Sequence, residues 1–198
     1  CLFKITPSHL KGLLPLLPNQ IHSAHYFVIG GEQLETELLQ QWKLKCPQAT
    51  FVNEYGPTEA TVGCVTYTID SATEDGMAAE NRASVAIGRA IAGTPVAVLA
   101  QDTLTPLPIG AVGELFIGGP GVGLGYLNRP ELSTKKFVLN ATPELEGMSY
   151  RSGDLVRWND NMQLEFIGRV DQQVKIRGYR IEVEEVNACI QNCDVVMH

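Results

Sequence analysis

Thr50-Phe51-Val52-Asn53-Glu54-Tyr55-Gly56-Pro57-Thr58-Glu59-Ala60-Thr61 is the stretch on which the fold of this chain turns. Its first residues read as a strand, Thr50 to Asn53, that runs into a Gly-Pro turn. Around that turn stand an aromatic ring (Tyr55), a hydroxyl (Thr58) and a carboxylate (Glu59). Such a turn offers a flat face for a base, a donor for a phosphate and an oxygen ligand for a hard cation. The plainer alternative is a loop in which Thr58 caps a short helix and Glu59 faces its positive end.

Upstream, strands and helices alternate. LFKIT reads as a buried strand, and Pro7-Ser8-His9 opens a Leu-rich helix to about Leu17. Tyr26-Phe27-Val28-Ile29 is a continuous apolar run ending in Gly30-Gly31, the pattern of a parallel strand covered on both faces. A helical period follows from Gln33 to about Lys45. The order is that of a doubly wound α/β unit, in which ligands sit at the carboxyl ends of strands. Gly30-Gly31-Glu32 and Glu54-Tyr55-Gly56 both fall at such ends.

Downstream of about Ile69 the character changes. Ser71 to Asn81 is polar and reads as a surface loop. Short β-rich runs follow, at Val96–Leu99, Gly113–Ile117 and Leu164–Ile167, as in a small barrel-like or antiparallel subdomain. From Val183 to Asn192 apolar residues recur at helical spacing. The expected organisation is an α/β core over 1–69, a β-rich subdomain over 70–170, and a hinge with the start of a third unit over 171–198. The sequence opens on Cys1 and stops inside the amphipathic run EEVNACIQNCDVVMH, so it reads as a piece of a longer protein, expected to aggregate in isolation.

Bulk properties narrow the function. The chain has 198 residues, 44% hydrophobic and 19% charged, with a net charge of −7. That balance fits a globular protein and opposes a nucleic-acid footprint, which needs clustered Lys and Arg. No apolar run is long enough to span a bilayer. The five cysteines (Cys1, Cys46, Cys64, Cys189, Cys193) form no CxxC pair, which favours a reducing, cytoplasmic compartment over a disulfide framework.

Further motifs stand in the second half. GGPGVGLGY, Gly118 to Tyr126, has no G-x-G-x-x-G spacing and no following helix, which excludes a dinucleotide fingerprint. It reads as a glycine-rich turn or a substrate gate. YRSGDLVRW, Tyr150 to Trp158, places Asp154 after a Ser-Gly turn, where it is either a surface carboxylate or an acceptor for ribose hydroxyls. GRVDQQVKIRGYRIE, Gly168 to Glu182, concentrates Arg169, Lys175, Arg177 and Arg180, either a solvated strand face or a source of charge beside a phosphate.

NEYGPTE, GELFIGGPGVGLGYLNRPELSTKKF, YRSGDLVRW and GRVDQQVKIRGYRIEVEEV, in that order, resemble the adenylation domains of nonribosomal peptide synthetases, within the adenylate-forming superfamily. The resemblance covers essentially the whole chain. It implies the fold of those enzymes, truncated at both ends, and a two-step reaction using ATP and Mg²⁺. An amino acid carboxylate attacks the α-phosphorus, giving aminoacyl-AMP and pyrophosphate; after lid rotation a carrier-protein phosphopantetheine thiol takes the acyl group. Implied partners are a peptidyl carrier domain and a condensation domain of the same megasynthase. The resemblance further implies that Tyr55 stacks on adenine, Thr58 contacts phosphate and Glu59 helps to hold Mg²⁺. Gly31 would line the adenine pocket, Asp154 would bind the ribose, Phe166 would pack beside the nucleotide and Arg169 would reach ribose or phosphate. Asp171 would be the hinge, and Gly178 would lie in the turn that meets the thiol arm. An acyl- or aryl-acid CoA ligase and a non-catalytic nucleotide-binding remnant stay open as alternatives.

Some positions depart from the family pattern. Leu124 stands where Arg is usual, Ser152 replaces Thr, and Phe166 replaces a common Tyr. The family's phosphate loop and substrate-amine Asp would precede Cys1, and its lid Lys would follow His198, so this chain by itself is not expected to catalyse adenylation. The substrate pocket implied by the motifs comprises Lys4, Val28, Gly30, Glu54, Val62 and Gly63. Lys4 and Glu54, expected at buried strand ends, need partners there. A primary amide serves both, accepting from Lys4 and donating to Glu54. Gly30 and Gly63 leave room for a larger group, so glutamine stays open on physical grounds; the set also resembles the family's asparagine pockets, and L-asparagine is the expected substrate.

Overall fold

The computed structural model describes residues 1–69, 83–176 and 178–191, so the polar 71–81 segment, Arg177 and the end of the chain lie outside the described residues. The first sheet has the order β1-β2-β3-β4-β5. β1 (Leu2–Ile5), β2 (Tyr26–Gly30) and β3 (Thr50–Tyr55) run parallel, whereas β4 (Val65–Ile69) and β5 (Arg89–Ala90) add antiparallel. Parallel neighbours require crossovers. These contain α1 (Pro7–Leu13), capped by Thr6 with Pro7 in its first turn, and α2 (Thr36–Lys45). Phe3, Phe27 and Phe51 stand in register and stack at 5.2 and 5.3 Å, and Trp42 of α2 meets Phe27 edge-on at 5.2 Å. The ladder is the centre of a core completed by Ile29, Leu38, Leu39 and Ile69.

Two expectations for this unit change. β1 is not buried: it pairs only with β2 among the described strands, and Leu2, Phe3 and Lys4 are exposed. Nor is β2 covered throughout, since Tyr26 is exposed and Val28 half-buried. β5 also returns to this sheet, so the first unit takes in residues beyond Ile69.

The second sheet is antiparallel, with β6 (Val96–Leu99), β7 (Gly113–Ile117), β8 (Phe137–Leu139), β9 (Met148–Trp158) and β10 (Leu164–Arg169). Its path is β10-β9-β7-β6, with β8 on β9 and α3 (Pro130–Lys136) leading into β8. β7 is buried along its whole length. Leu115, Ile117, Val156 and Leu164 pack with Ala60, Cys64 and Val65 of the first unit, and the Ile87 N–H donates to Leu164 O at 2.8 Å. The shared core fixes the turn after β3 against the second sheet. A short hairpin of β11 (Val174–Ile176) and β12 (Tyr179–Ile181), then α4 (Val183–Gln191), forms the third unit. Among the described residues, no helix is long and apolar enough to cross a membrane.

Candidate active site

Asp154 owes its position to irregularities in two strand pairs. The β7/β9 register shifts between Glu114 and Phe116, setting the Ser152–Gly153–Asp154 segment off the ladder. Gly153 adopts φ 76°, where a Cβ is disfavoured, and an added Cβ would stand 2.9 Å from the Arg169 guanidinium. Side chains satisfy the loosened backbone. Ser152 Oγ donates to Leu115 O at 2.7 Å and accepts from the Asp154 N–H at 3.0 Å; the Gly153 N–H donates to Glu114 Oε1 at 3.0 Å. Arg151 in turn bonds the buried Glu114 at 2.9 Å. A second shift, between Phe166 and Gly168, sets Arg169 opposite Asp154.

From this frame a chain of polar groups lines one cleft. Tyr55 Oη donates to Asp154 Oδ2, and Arg169 Nη1 donates to Oδ1 at 2.6 Å. Arg169 also grips Asp171 bidentately, at 2.5 and 2.7 Å. Burial, then the neighbouring Asp154 carboxylate, push the Tyr55 phenol well above its usual range, so it serves as a donor. Burial works against the Arg169 charge, but Asp171 and Asp154 outweigh it and hold the guanidinium ionised. The bond from Arg169 draws the Asp171 carboxyl below its ordinary value. The cleft, about 430 Å³, is lined by Gly31, Asn53, Tyr55, Asp154, Phe166 and Arg169 among others, with Lys175 contributed by β11. Residues expected to meet a nucleotide thus share one cavity, except Thr58 and Glu59.

Those two sit on a single 3-10 turn, Thr58–Ala60, whose N-cap is Pro57. Thr58 is exposed and makes no capping bond, which sets aside the capping alternative. Gly56 fits tightly beneath the turn, because an added Cβ would lie 1.4 Å from Val62 O. The glycine-rich loop after β7 covers the turn's other side: Thr61 Oγ1 donates to Gly121 O at 2.6 Å and the Gly123 N–H to Glu59 O at 2.8 Å. Leu124, at the departure from the family pattern, is fully exposed.

Glu59 accepts from Tyr126 Oη at 2.6 Å, and Arg180 Nη1 donates to both of its oxygens at 2.8 Å. Burial pushes the Glu59 carboxyl up, but these bonds more than compensate and hold it below its usual range. Among the described residues no three His, Cys, Asp or Glu cluster as a metal site. One carboxylate suits Mg²⁺ held mainly by substrate phosphates. Glu59 therefore fits the ion as a donor once Arg180 moves away. Its partners, Arg180 and Tyr126, were visible in the sequence only as members of a cationic run and a glycine-rich loop.

Lys4, Val28, Gly30 and Glu54 lie on one face of the first sheet, with Lys4 opposite Val28 and Gly30 opposite Glu54. Lys4 Nζ pairs directly with Glu54 Oε2. The Lys4 side chain is 59% exposed and that of Glu54 16%, so only Glu54 meets the expectation of burial. Added Cβ atoms at Gly30 and Gly63 would stand 2.7 Å from the Glu54 carbonyl and carboxylate oxygens, so both glycines make room for that residue. Val62 is exposed, at positive φ. Glu54 lines the nucleotide-sized cleft as well, joining the two regions.

A family model described as AMP-binding enzyme matches residues 1–127. Tyrocidine synthase 3 of Brevibacillus parabrevis is 39% identical over 197 residues, 98% of this chain and 3% of its own length. Bacitracin synthase 3 of Bacillus licheniformis is 40% identical over 185 residues, 92% of the chain and 3% of the relative. Among solved structures, an NRPS protein containing adenylation and PCP domains, bound to a vinylsulfonamide inhibitor, superposes with TM-score 0.86 and 29% identity. The match covers 96% of this chain and 32% of that one. A Vibrio cholerae adenylation domain in complex with glycyl-adenosine-5'-phosphate gives TM-score 0.77 and 29% identity, over 96% of this chain and 35% of that domain. The chain thus spans a small part of the synthases it matches.

Proposed function

Since the chain belongs to the AMP-binding enzyme family, among the adenylation domains of nonribosomal peptide synthetases, we propose that its parent protein activates an amino acid as aminoacyl-AMP and passes it to a carrier-protein phosphopantetheine thiol. The observation that carries this reading is the Tyr55–Asp154–Arg169 chain lining the cleft. An ionised carboxylate has about four lone-pair sites. Two on Asp154 are taken, and the others are open to ribose hydroxyls. Tyr55, held by its phenol, offers its ring to the base, and Gly31 allows close approach. Phe166, in the same cleft lining, packs beside the nucleotide.

In the first step an amino acid carboxylate oxygen forms a bond to the α-phosphorus of ATP while the bond to the pyrophosphate oxygen breaks. Arg169 supplies fixed positive charge beside the ribose or phosphate, and Thr58 an exposed hydroxyl at the phosphates. Mg²⁺, when bound, neutralises charge on those phosphates, and Glu59 is the residue that would hold it. In the second step the thiol sulfur attacks the acyl carbon and AMP leaves. Asp171 is the pivot between the steps, because the Arg169 grip ends there, shortly before the lid hairpin begins at Val174. The carrier domain and a condensation domain are the proposed partners.

The proposed amino acid is L-asparagine. Lys4 and Glu54 form a neutral pair with one donor and one acceptor edge. A side-chain amide matches that dipole, while a carboxylate meets Glu54 with like charge. The test is amino-acid-dependent exchange of pyrophosphate into ATP by the full-length protein. Exchange with asparagine above all others is the expected result. Exchange with another amino acid overturns the pocket assignment, and the absence of exchange with any overturns the adenylation reading.

A further inference from the structure

The hairpin of β11 and β12 touches the first unit at two carboxylates. One is Glu59, held by Arg180. The other is Glu32, on the loop after β2, whose Oε1 accepts from the Gly178 N–H at 2.7 Å. Glu32 is built for this contact. Its Oε2 accepts from the Ser8 N–H at 2.9 Å and from Ser8 Oγ at 2.6 Å, so α1 fixes the side chain and leaves Oε1 facing the hairpin. Gly178 reaches it through φ 80°, and an added Cβ would press on Thr6 at 3.3 Å. Backbone shape and carboxylate position therefore match across 146 residues of sequence.

We propose that Glu32 is a positioning residue for the transfer step: it latches the lid hairpin, through the Gly178 N–H, in the orientation that excludes cation binding at Glu59. The inference rests on the two-step adenylation reading. Arg180 and a cation need the same Glu59 oxygens, so the docked hairpin belongs to the stage after the metal-dependent step. A latch on that hairpin favours transfer and does nothing for activation.

The experiment uses the full-length protein and three readouts on Glu32→Ala and Glu32→Gln. Pyrophosphate exchange with whichever amino acid of a full panel supports it best reports activation, loading of the carrier thiol reports transfer, and hydrogen exchange at the Gly178 amide reports the latch without turnover. For Glu32→Ala the expected result is loading slowed roughly tenfold, the loss expected for one charge-assisted bond, a clearly smaller loss in pyrophosphate exchange, since Glu32 also lines the cleft, and faster exchange at Gly178. Glu32→Gln keeps an acceptor for Gly178 and is expected to recover part of the loading rate. Adding Mg²⁺ with a non-hydrolysable ATP analogue to the wild-type protein should also accelerate Gly178 exchange. An equal loss in both steps, or unchanged Gly178 exchange in Glu32→Ala, overturns the latch. Lack of pyrophosphate exchange in a wild-type protein whose Gly178 amide responds to Glu32→Ala overturns the adenylation reading and the assignment to transfer with it, and leaves the contact itself standing.

Discussion

Asp154 and Glu54 each make a demand that one substitution can test. Replacing Asp154 with Asn removes a charge from the Arg169 bond and one acceptor from the position proposed for the ribose. Charge-assisted bonds contribute about 1.5–3 kcal/mol, so KM for ATP should rise roughly 10- to 100-fold, with a smaller change in KM for the amino acid. Steady-state kinetics with each substrate varied in turn will separate the two. At Glu54 the expected change is one of preference. Glu54→His replaces the acceptor that faces a substrate amide with a donor, and should move selectivity towards aspartate by roughly tenfold or more. Unchanged selectivity on an amino acid panel would remove the Lys4–Glu54 pair from recognition. Asp154 stood out in the sequence because a carboxylate after Ser-Gly is a turn signal, and Glu54 because a charge at a strand end needs a partner. That Lys4 is itself that partner, and exposed, depends on β1 lying at the edge of the described sheet, which no residue type announces.

At the scale of elements, the aromatic ladder and the irregular strands behave differently. Phe27 lies at 6% exposure between Phe3 and Phe51, with Trp42 against it. Phe27→Ala should lower stability by about 3–5 kcal/mol, read as an early thermal or denaturant midpoint. Ser152→Ala, by contrast, strips the Leu115 and Asp154 bonds that hold the displaced segment of β9. Its stability cost should be about 1–2 kcal/mol, but nucleotide affinity should fall further than the melting point implies, because Asp154 loses its frame. β1, β2, β3, β6, β7 and β10 were legible as short strand-like runs, and α2 from its helical period, whereas β9 showed in the sequence only as a turn around Asp154. The register shifts were not legible. They arise from how β9 fits between β7 and β10, and alternation along one strand carries no record of its neighbours.

The whole molecule responds to pH through the contacts between its units. Glu32, Glu59 and Asp171 all have carboxyls held below their ordinary values: burial opposes this at Glu32 and Glu59, while the bonds from Ser8, Tyr126, Gly178, Arg180 and Arg169 prevail. A depressed carboxyl contributes its full stabilisation above the ordinary value, about 4, and loses it as pH falls through the depressed one. The docked hairpin should therefore open on acidification before the second sheet melts. NMR of amides in β11 and β12, followed from pH 7 downward beside those of β7, will show the order; loss of both together would deny that carboxylates hold the hairpin. The Gly178–Glu32 and Arg180–Glu59 contacts span more than a hundred residues, and Arg180 in sequence is one cation in a row of them. Only folding singles it out.

Glu59 cannot serve Arg180 and a cation at once, and thermodynamic linkage makes that rivalry reciprocal. Whatever free energy the guanidinium gains by docking is subtracted from the apparent affinity for the ion, and the ion weakens the guanidinium by the same factor. Arg180→Ala should then bind Mg²⁺ more tightly in the presence of a non-hydrolysable ATP analogue, a gain visible by calorimetry with no turnover at all. Deleting a positive charge would strengthen cation binding in almost any protein; here the gain should vanish when Glu59 is replaced by Gln, which marks the shared seat as its source.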